Sequence, residues 1–256
     1  MVVGLGEIGV PIFKLLTKSF FTIGYDIDEK LMDKKKFLKY NSLPISFLHI
    51  CIPFNKNFEK NIIDLFHQFD PECIVIHSTV SPYTTKKIQE KISIPIIYSA
   101  TRGVHRRMLN DLKRYTKFFA IEKDAPNEKL ATKKFSTLMK KCGVKTKKMS
   151  QPLTLELAKI VCDTSYYAWL INYAQSSNII AIKHKVNYDE MWTFSDEIHK
   201  FLGNRPKMYP GIIGGHCVIP NLELIHNQTL KLIKSLNNDY VKKIKISKSK
   251  HSKTKK

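Results

Sequence analysis

Cysteine is scarce in this sequence, and long apolar runs are absent. The 256 residues include five cysteines, an odd number without C-x-x-C spacing, which argues against a disulfide framework and a zinc site. No stretch approaches the ~18 unbroken apolar residues of a membrane span. The N-terminus also does not resemble a secretory signal. Together these absences predict a cytoplasmic protein without a metal centre.

Acidic residues are scarce too, since 22 Asp and Glu oppose 43 Lys and Arg and leave a net charge of +21. Ten lysines and one acid lie from Lys231 onward, so nine of these charges are C-terminal. Residues 237–256 therefore predict a disordered lysine-rich tail, of a kind that binds polyanions weakly by counterion release. A general lysine bias of the chain explains the same composition. The remaining +12 favours an anionic substrate such as a sugar derivative.

Short apolar runs alternate with helical patterns over residues 1–150. This alternation predicts an α/β fold, a Rossmann-type doubly wound parallel sheet that forms the first domain. The predicted strands cover residues 2–3, 21–26, 45–53, 73–77, 94–98, 118–122 and 144–149.

The pattern changes after residue 150. Residues 154–184 contain neither glycine nor proline and predict one long helix, about 45 Å at 1.5 Å per residue. A second helix is predicted over 188–202, a Gly/Pro-rich loop over 203–220, and a last helix over 222–236. Residues 151–236 thus predict a small all-helical domain.

The first nine residues contain a G-x-G-x-x-G run between an apolar strand end and a helix. Gly4 allows a tight turn, Gly6 lets a pyrophosphate approach the backbone, and Gly9 lets helix and strand pack closely. Asp26 can accept hydrogen bonds from an adenosine ribose and repels a 2′-phosphate, so NAD is predicted over NADP. The alternative is a set of glycines that only turns a strand into a helix. Val2 and Val3 alone precede Gly4, so the first strand is short or begins upstream.

Further cofactor contacts are predicted in the same loop and at neighbouring strand ends. Glu7 and Ile8 belong to the glycine loop, whereas Pro53, Ser78 and Thr79 follow the third and fourth predicted strands. Cofactors bind at this edge of a parallel sheet. The alternative for the two hydroxyls is that they cap a helix.

Two other groups suggest chemistry. In Glu156-x-x-Lys159-x-x-x-Asp163, the last two residues lie one helical turn apart, which fits either a site or a surface ion pair. The run Gly214-Gly-His-Cys217 places a cysteine in a glycine-rich loop beside a histidine that can lower its pKa. The other four cysteines have apolar surroundings in the sequence, so Cys217 is the candidate nucleophile.

Taken in order, these motifs resemble the UDP-glucose/GDP-mannose dehydrogenase family over about residues 1–235. The glycine run with Asp26 resembles its NAD site. Three further segments resemble its S-T-V-P-P-G-T-T, E-x-x-K and G-x-G-G-[SH]-C motifs, namely Ser78-Thr79-Val80-Ser-Pro82-x-Thr84-Thr85, Glu156-x-x-Lys159 and Pro210-Gly-x-x-Gly214-Gly-His-Cys217.

The resemblance implies a two-step, NAD-dependent oxidation of a sugar alcohol to an acid. Cys217 would form the covalent intermediates, Lys159 would stabilise oxyanions, and Thr79 would lie in the active site. Asp163 and Asn221 stand where the family has asparagine and aspartate, a reciprocal exchange within the catalytic group. The long helix forms the dimer core in that family, which implies a homodimer.

Two departures from the family keep other functions open. Thr101 stands where the family has a glutamate and cannot act as a carboxylate base, so thioester hydrolysis is expected to be impaired. The family's C-terminal nucleotide-binding domain has no counterpart in this sequence. One alternative is therefore an NAD-binding scaffold or sensor. The other is a β-hydroxyacid dehydrogenase-like enzyme, which also has a lysine on the helix after its Rossmann domain but uses no thiol.

Overall fold

The computed structural model describes the backbone of residues 1–214 and 218–253, and side chains as far as residue 245. The chain divides into two compact units, an N-terminal unit Met1–Lys159 and a C-terminal unit Ile160–Lys256. The sequence placed this boundary at residue 150.

A five-stranded parallel sheet forms the centre of the N-terminal unit. Its order is β2-β1-β3-β4-β5, from β1 (Val2–Val3), β2 (Gly24–Tyr25), β3 (Leu48–Ile50), β4 (Ile74–Ile76) and β5 (Ile96–Tyr98). In the register, Val2 lies opposite both Gly24 and His49. A parallel pair, β6 (Lys117–Phe119) and β7 (Thr146–Lys148), adjoins β5 through an antiparallel bridge between Tyr98 and Ala120. The predicted Rossmann-type parallel sheet is confirmed.

Helices cover both faces of this sheet, because its strands are apolar on both sides. Along β4, Val75 packs into one hydrophobic cluster with the helices Gly9–Leu16 and Glu128–Lys141, whereas Ile74 and Ile76 pack into another with the helices Phe58–Phe69 and Thr84–Gln89. The helices of the unit are α1 (Gly9–Leu16), α2 (Lys34–Tyr40), α3 (Phe58–Phe69), α4 (Thr84–Gln89), α5 (Met108–Arg114), α6 (Glu128–Lys141) and α7 (Pro152–Leu157).

The predicted long α-helix over residues 154–184 is helical throughout but not uniform. After α7, the residues Ala158–Ser165 form a π-helix, and α8 (Tyr166–His184) follows. Ser165 Oγ donates a hydrogen bond to the Val161 carbonyl at 2.9 Å. Such bonding by a serine hydroxyl to the fourth preceding carbonyl competes with the α-helical ladder and disturbs its geometry, which helps to explain the wider turns.

The rest of the C-terminal unit consists of α9 (Tyr188–Leu202), α10 (Val218–Leu222) and α11 (Gln228–Lys253). The bounds of α9 coincide with the predicted helix over 188–202. The last helix differs from its prediction in length, because α11 continues beyond residue 236 to Lys253, while disorder of the tail stays a prediction. Lysine is a good helix former, and the helix is anchored by buried Leu230, Ile233 and Tyr240.

Within the part of the chain that the structure describes, no helix is long and apolar enough to cross a membrane.

Candidate functional site

The glycine loop after β1 is fixed by close backbone packing. Gly4 has a φ of +85°, and a Cβ atom there would lie 2.9 Å from the Cys51 carbonyl. Gly9 begins α1, where a Cβ atom would lie 1.6 Å from the Gly4 oxygen. At Gly6, by contrast, no described atom lies within 4 Å of a Cβ position. The loop therefore has two glycines required by packing and one whose backbone is open to a ligand.

This loop lies at the point where the strand order of the sheet reverses. β1 has β2 on one side and β3 on the other, so the connections from β1 and from β2 leave in opposite directions. In open α/β sheets, ligands bind in the crevice at the carboxyl ends of the strands at such a reversal. The topology thus places Gly4 and Gly6 at the edge of the sheet where such folds bind ligands.

Asp26 ties the glycine loop to the end of β2. Its Oδ2 accepts a hydrogen bond from the Leu5 amide at 2.6 Å, and its Oδ1 accepts one from the Asp28 amide at 2.9 Å. The carboxylate is therefore held beside the loop, where the sequence places the ribose acceptor. Contact with a ribose stays a prediction.

A basic segment, residues 102–107, adjoins the glycine loop and was not predicted as part of the site. Its His105 Nδ1 lies 2.8 Å from Glu7 Oε2. Asp111 holds the segment, since its Oδ2 accepts from the Val104 amide at 2.9 Å and from Arg107 Nε at 3.0 Å. These two hydrogen bonds hold the pKa of the Asp111 carboxyl below its usual value. The sequence signal was the cluster of three arginines and a histidine after a strand.

The polar strand ends predicted as cofactor contacts lie at the same edge of the sheet. Pro53 follows β3, and Ser78 and Thr79 follow β4. Ser78 Oγ donates to the Ile52 carbonyl at 2.5 Å, so this hydroxyl joins the ends of the two strands. That bond supports a structural role for Ser78, while cofactor contacts by Pro53, Ser78 and Thr79 stay predictions.

Glu156 is fully buried and fixes the start of α4. Its carboxylate accepts hydrogen bonds from the Tyr83 amide at 2.7 Å, the Thr85 amide at 2.9 Å and the Thr85 hydroxyl at 2.7 Å. Burial raises the pKa of Glu156, and these three hydrogen bonds oppose that shift. Its role in the E-x-x-K pattern is therefore to anchor the segment that follows Ser78 and Thr79.

Thr101 is buried just beyond the end of β5. Its amide donates to the His77 carbonyl at 3.1 Å, while its Oγ1 has no hydrogen-bond partner among the described residues. A buried hydroxyl without a partner carries a desolvation cost that a bound polar group would relieve. Thr101 therefore offers only a hydroxyl at the position where the resembled family has a glutamate carboxylate.

A buried polar array crosses strands β3 to β6. His49 Nδ1 lies 2.9 Å from His77 Nε2, and both His77 Nδ1 (3.2 Å) and Lys117 Nζ (3.0 Å) approach the Ser99 carbonyl. Because a carbonyl only accepts, His77 is protonated at Nδ1, its Nε2 accepts, and His49 donates from Nδ1. Burial lowers the pKa of both histidines well below the usual value and that of Lys117 to about 7.

The remaining predicted site residues are spread over both units. Lys159 and Asp163 lie in the π-helix, and Asn221 lies in α10. Lys159 is the last residue of the N-terminal unit, whereas Asp163 and Asn221 belong to the C-terminal unit. Cys217 lies outside the described residues. Their catalytic roles stay predictions. Within the described residues, no group of three or more His, Cys, Asp or Glu could hold a metal ion.

The parallel sheet and its glycine loop place the N-terminal unit in the Rossmann class, and known structures agree. The chain is similar to the UDP-D-ManNAc dehydrogenase of Pyrococcus horikoshii, with a TM-score of 0.76 and 17% identity over 94% of this chain and 69% of that one. It is also similar to the UDP-N-acetyl-mannosamine dehydrogenase of Staphylococcus aureus, with a TM-score of 0.75 and 17% identity over 97% and 69%. These neighbours agree with the family resemblance seen in the sequence.

A smaller enzyme also shares the architecture. The 3-hydroxyisobutyrate dehydrogenase of Mycobacterium tuberculosis matches with a TM-score of 0.67 and 14% identity over 94% of this chain and 91% of that one. No protein-family model matches the chain, and no curated protein sequence matches it. At these identities the likeness establishes the fold.

Proposed function

We propose that this protein is an NAD-dependent dehydrogenase that oxidises a CH–OH group. The observation that supports this most strongly is the glycine loop. Gly4 and Gly9 are required by packing, whereas Gly6 leaves open backbone at the reversal of strand order. Asp26 stands beside it, held by the Leu5 amide. A pyrophosphate and a ribose fit this arrangement of open backbone, helix N-terminus and carboxylate.

In this proposal the N-terminal unit holds the dinucleotide. The backbone at Gly6 would face the pyrophosphate, and Asp26 would face the ribose. Pro53 and Thr79 would lie beside the part of the cofactor that reacts. When bound, NAD supplies the acceptor for a hydride. The net charge of +12 that remains outside the C-terminal segment favours an anionic sugar derivative as substrate.

The chain's own chemistry would centre on Lys159 and Cys217. The alcohol loses a hydride and a proton to become an aldehyde, and Lys159 stabilises the oxygen as charge develops. The Cys217 sulfur then adds to the aldehyde carbon, and the oxygen takes a proton. Loss of a second hydride, to a second NAD, and of the hydroxyl proton leaves a thioester, which water cleaves to the acid and the free thiol. Asp163 and Asn221 would provide hydrogen bonds to this group.

Thr101 bears on the last of these steps. Water attacking a thioester is helped by a general base, and a threonine hydroxyl is a poor one near neutral pH. The proposal therefore includes slow hydrolysis, so that two NADH per active site form in a rapid burst and further NADH forms slowly, as the thioester is cleaved.

The test of this function is NADH formation from NAD and a panel of nucleotide sugars and small hydroxy compounds. Cys217→Ala is expected to lower turnover of a sugar substrate at least about a hundredfold, because the nucleophile is lost. Cys162→Ala, which removes an exposed cysteine of the π-helix, is the matched control and should retain turnover. Absence of turnover by the wild-type protein on every compound, despite measured NAD binding, would instead favour a scaffold or sensor.

A β-hydroxyacid dehydrogenase-like activity is the second candidate. The observation that favours it is coverage, since the chain spans 91% of the 3-hydroxyisobutyrate dehydrogenase. Such an activity would depend on Lys159 and be independent of the thiol. Turnover of a small hydroxy acid that survives Cys217→Ala and is lost in Lys159→Ala would select this function.

A homodimer is the proposed assembly, and the outer faces of α8 and α9 support it. Tyr173 on α8 is 64% exposed, and Phe194 and Phe201 on α9 are 82% and 81% exposed. No residue of α9 is buried. Apolar side chains at this spacing form one stripe, and contiguous exposed apolar patches mark interaction surfaces. A second copy of the chain would cover the stripe.

Charge on this stripe is expected to prevent dimerisation. The double variant Phe194→Asp/Phe201→Asp should elute as a monomer in size-exclusion chromatography with light scattering, because two carboxylates would be buried unpaired in the interface. Leu130→Asp, on an exposed position of α6, serves as the control and should elute with the wild-type protein. A wild-type monomer at micromolar concentration would exclude the dimer.

The cytoplasm remains the proposed location. Cys51, Cys73, Cys142 and Cys162 are free thiols, as expected in a reducing compartment.

A further inference from the structure

Glu7 puts a negative charge into the glycine loop, where the proposed dinucleotide has its pyrophosphate. The residue follows Gly6, whose Cβ position is open, and precedes Gly9, the first residue of α1. The Val10 amide donates to the Gly6 carbonyl at 3.0 Å, so Glu7 lies within the turn that leads into the helix. A carboxylate at a helix N-terminus stabilises the helix, but it repels a pyrophosphate bound there. The charge of Glu7 therefore opposes the function proposed for the loop.

His105 supplies a charge of the opposite sign. Its Nδ1 lies 2.8 Å from Glu7 Oε2, and the two side chains are 31% and 54% exposed, respectively. When His105 is protonated, the two charges cancel, whereas loss of its proton leaves the Glu7 charge uncompensated. Histidine is the side chain whose charge changes between about pH 5 and 8. The net charge of this pair, directly beside the open backbone of the loop, therefore depends on the pH in the neutral range.

The backbone on both sides of His105 is anchored to α5. Asp111 Oδ2 accepts from the Val104 amide at 2.9 Å, just before His105, and from Arg107 Nε at 3.0 Å, two residues after it. A Cβ atom at Gly103 would lie 2.8 Å from Asp111 Cβ, so the segment also packs closely on this helix. The position of His105 at the loop is thus fixed by the fold and does not depend on a long flexible side chain.

The other charged groups on the elements around this pair are carboxylates and cations that keep their charge between about pH 5 and 8, with one exception. They are Lys14 on α1, Asp26 at the end of β2, Arg102, Arg106 and Arg107 in the basic segment, and Asp111 on α5. The exception is Lys117 on β6, since burial lowers its pKa to about 7. An experiment on the pair must therefore separate His105 from Lys117.

We propose that His105 is a positioning residue for the dinucleotide, because it neutralises Glu7 and so lets the pyrophosphate bind at the glycine loop. This inference rests on the proposed function, in which the loop holds NAD. His105 acts through the charge of Glu7 rather than through a contact with the phosphates. The affinity for the cofactor consequently falls as the pH rises, since the carboxylate of Glu7 then repels the pyrophosphate without compensation.

The experiment measures NAD binding by isothermal titration calorimetry at about pH 5.5 and pH 8, the two ends of the range in which a histidine titrates. Low ionic strength is used, because salt screens exposed charges. The variants are His105→Gln and the double variant Glu7→Gln/His105→Gln, in which glutamine keeps a polar side chain without the charge. The matched control is Glu72→Gln/Lys134→Gln, which removes another exposed ion pair, 2.7 Å long, between the residues before β4 and α6.

The wild-type protein is expected to bind NAD about fivefold more tightly at the lower pH, the order of magnitude for one charge near a pyrophosphate in water. His105→Gln should show the weaker affinity at both pH values. The double variant should show the tighter affinity at both, and thus bind better than the wild-type protein at the higher pH, because neither charge remains. The control pair should not change the affinity or its pH profile. Lys117→Met should retain the pH dependence, which separates it from the titration of Lys117.

A double variant that binds NAD as weakly as His105→Gln would overturn the proposal, because the loss would then not pass through the charge of Glu7. A purely structural role of the pair would lower the melting temperature and leave the pH profile of binding unchanged, which would overturn it as well. ADP-ribose, which retains the pyrophosphate, should reproduce the pattern seen with NAD. The same pattern with adenosine, which lacks phosphates, would contradict the proposal.

Proton NMR of His105 in the wild-type protein provides a test that needs no variant. Because coupling between two binding events is reciprocal, bound NAD should make His105 keep its proton to a higher pH than in the free protein. The two proposals fail separately. NAD binding that is equal at both pH values, with an unchanged titration of His105, rejects only the role of His105. Absence of NAD binding at either pH rejects the cofactor site and the proposed function with it.

Discussion

Gly9→Ala is expected to destabilise the N-terminal unit by about 3 kcal/mol or more and to abolish NAD binding. The added Cβ atom would lie 1.6 Å from the Gly4 oxygen and 2.8 Å from its carbonyl carbon, both backbone atoms. Neither can move without displacing β1, since the Gly4 amide itself donates to the Tyr25 carbonyl at 2.9 Å. Thermal unfolding and calorimetric titration with NAD would measure the two effects.

Gly6→Ala is the matched control for this substitution. The position has no described atom within 4 Å of a Cβ atom and no positive φ, so stability should change by no more than ~0.5 kcal/mol. NAD binding should nevertheless weaken, because the methyl group would occupy the space through which a pyrophosphate approaches. Retained NAD affinity in Gly6→Ala would argue against the proposed cofactor site, whereas a stable Gly9→Ala protein would argue against the packing of the loop.

Lys117→Met is expected to stabilise the protein at pH 7 by ~1–4 kcal/mol, the range seen when buried ionic groups are replaced by apolar ones. Lys117 is 5% exposed on β6 and has no carboxylate among its hydrogen-bond or ion-pair partners in the described structure. Its ammonium donates to the Ser99 carbonyl, which also accepts from His77 and so keeps a partner after the change. Methionine fills the space of the alkyl chain.

The pH dependence of the free energy of unfolding distinguishes removal of a buried charge from simple repacking. The pKa of Lys117 is about 7 in the folded protein and 10.5 in its usual environment, so the unfolded chain binds more protons between these values. Wild-type stability therefore gains from this group as pH rises from 7 toward 10, and the advantage of the variant shrinks over that window. Unfolding by denaturant at pH 7 and pH 10 would measure the difference in free energy of unfolding between the variant and the wild-type protein.

Lys147→Met provides the comparison, because Lys147 is exposed on the neighbouring strand β7. Its effect should stay within ~0.5 kcal/mol at both pH values. A destabilised Lys117→Met protein, or an advantage that does not change with pH, would show that Lys117 is not a buried group held near neutrality.

Periodicity in the sequence was sufficient for the elements that bury apolar residues in a regular pattern. The strand around Ile74–Ile76, whose three residues are buried, lies where the sequence placed it. The π-helix was missed because the feature that accompanies it, the hydrogen bond from the Ser165 hydroxyl to the Val161 carbonyl, leaves no sign in the apolar periodicity. The length of α11 was missed because charge density was taken as a sign of disorder, although the absence of glycine and proline permitted a helix.

The local geometry of the glycine loop follows from one short motif and could be predicted, whereas contacts between residues distant in sequence could not. Asp26 was placed beside the loop, but its bond to the Leu5 amide was not foreseen. Likewise, His77 and Lys117 lie in or next to strands that read as core, and their convergence on the Ser99 carbonyl depends on strand order. The hydrogen bond from the Ile213 amide to Asn237 Oδ1 spans 24 residues, for which no local pattern exists.

The tautomers dictated by the Ser99 carbonyl give this protein an internal spectroscopic reporter. The Nδ1 protons of His49 and His77 are buried and hydrogen-bonded, so they should exchange slowly with water and resonate downfield of the amide region in proton NMR. Since the Thr101 amide bonds the His77 carbonyl, a ligand at that edge of the sheet would perturb the His77 resonance. Cofactor and substrate binding could then be followed in the unlabelled protein, before any turnover is found.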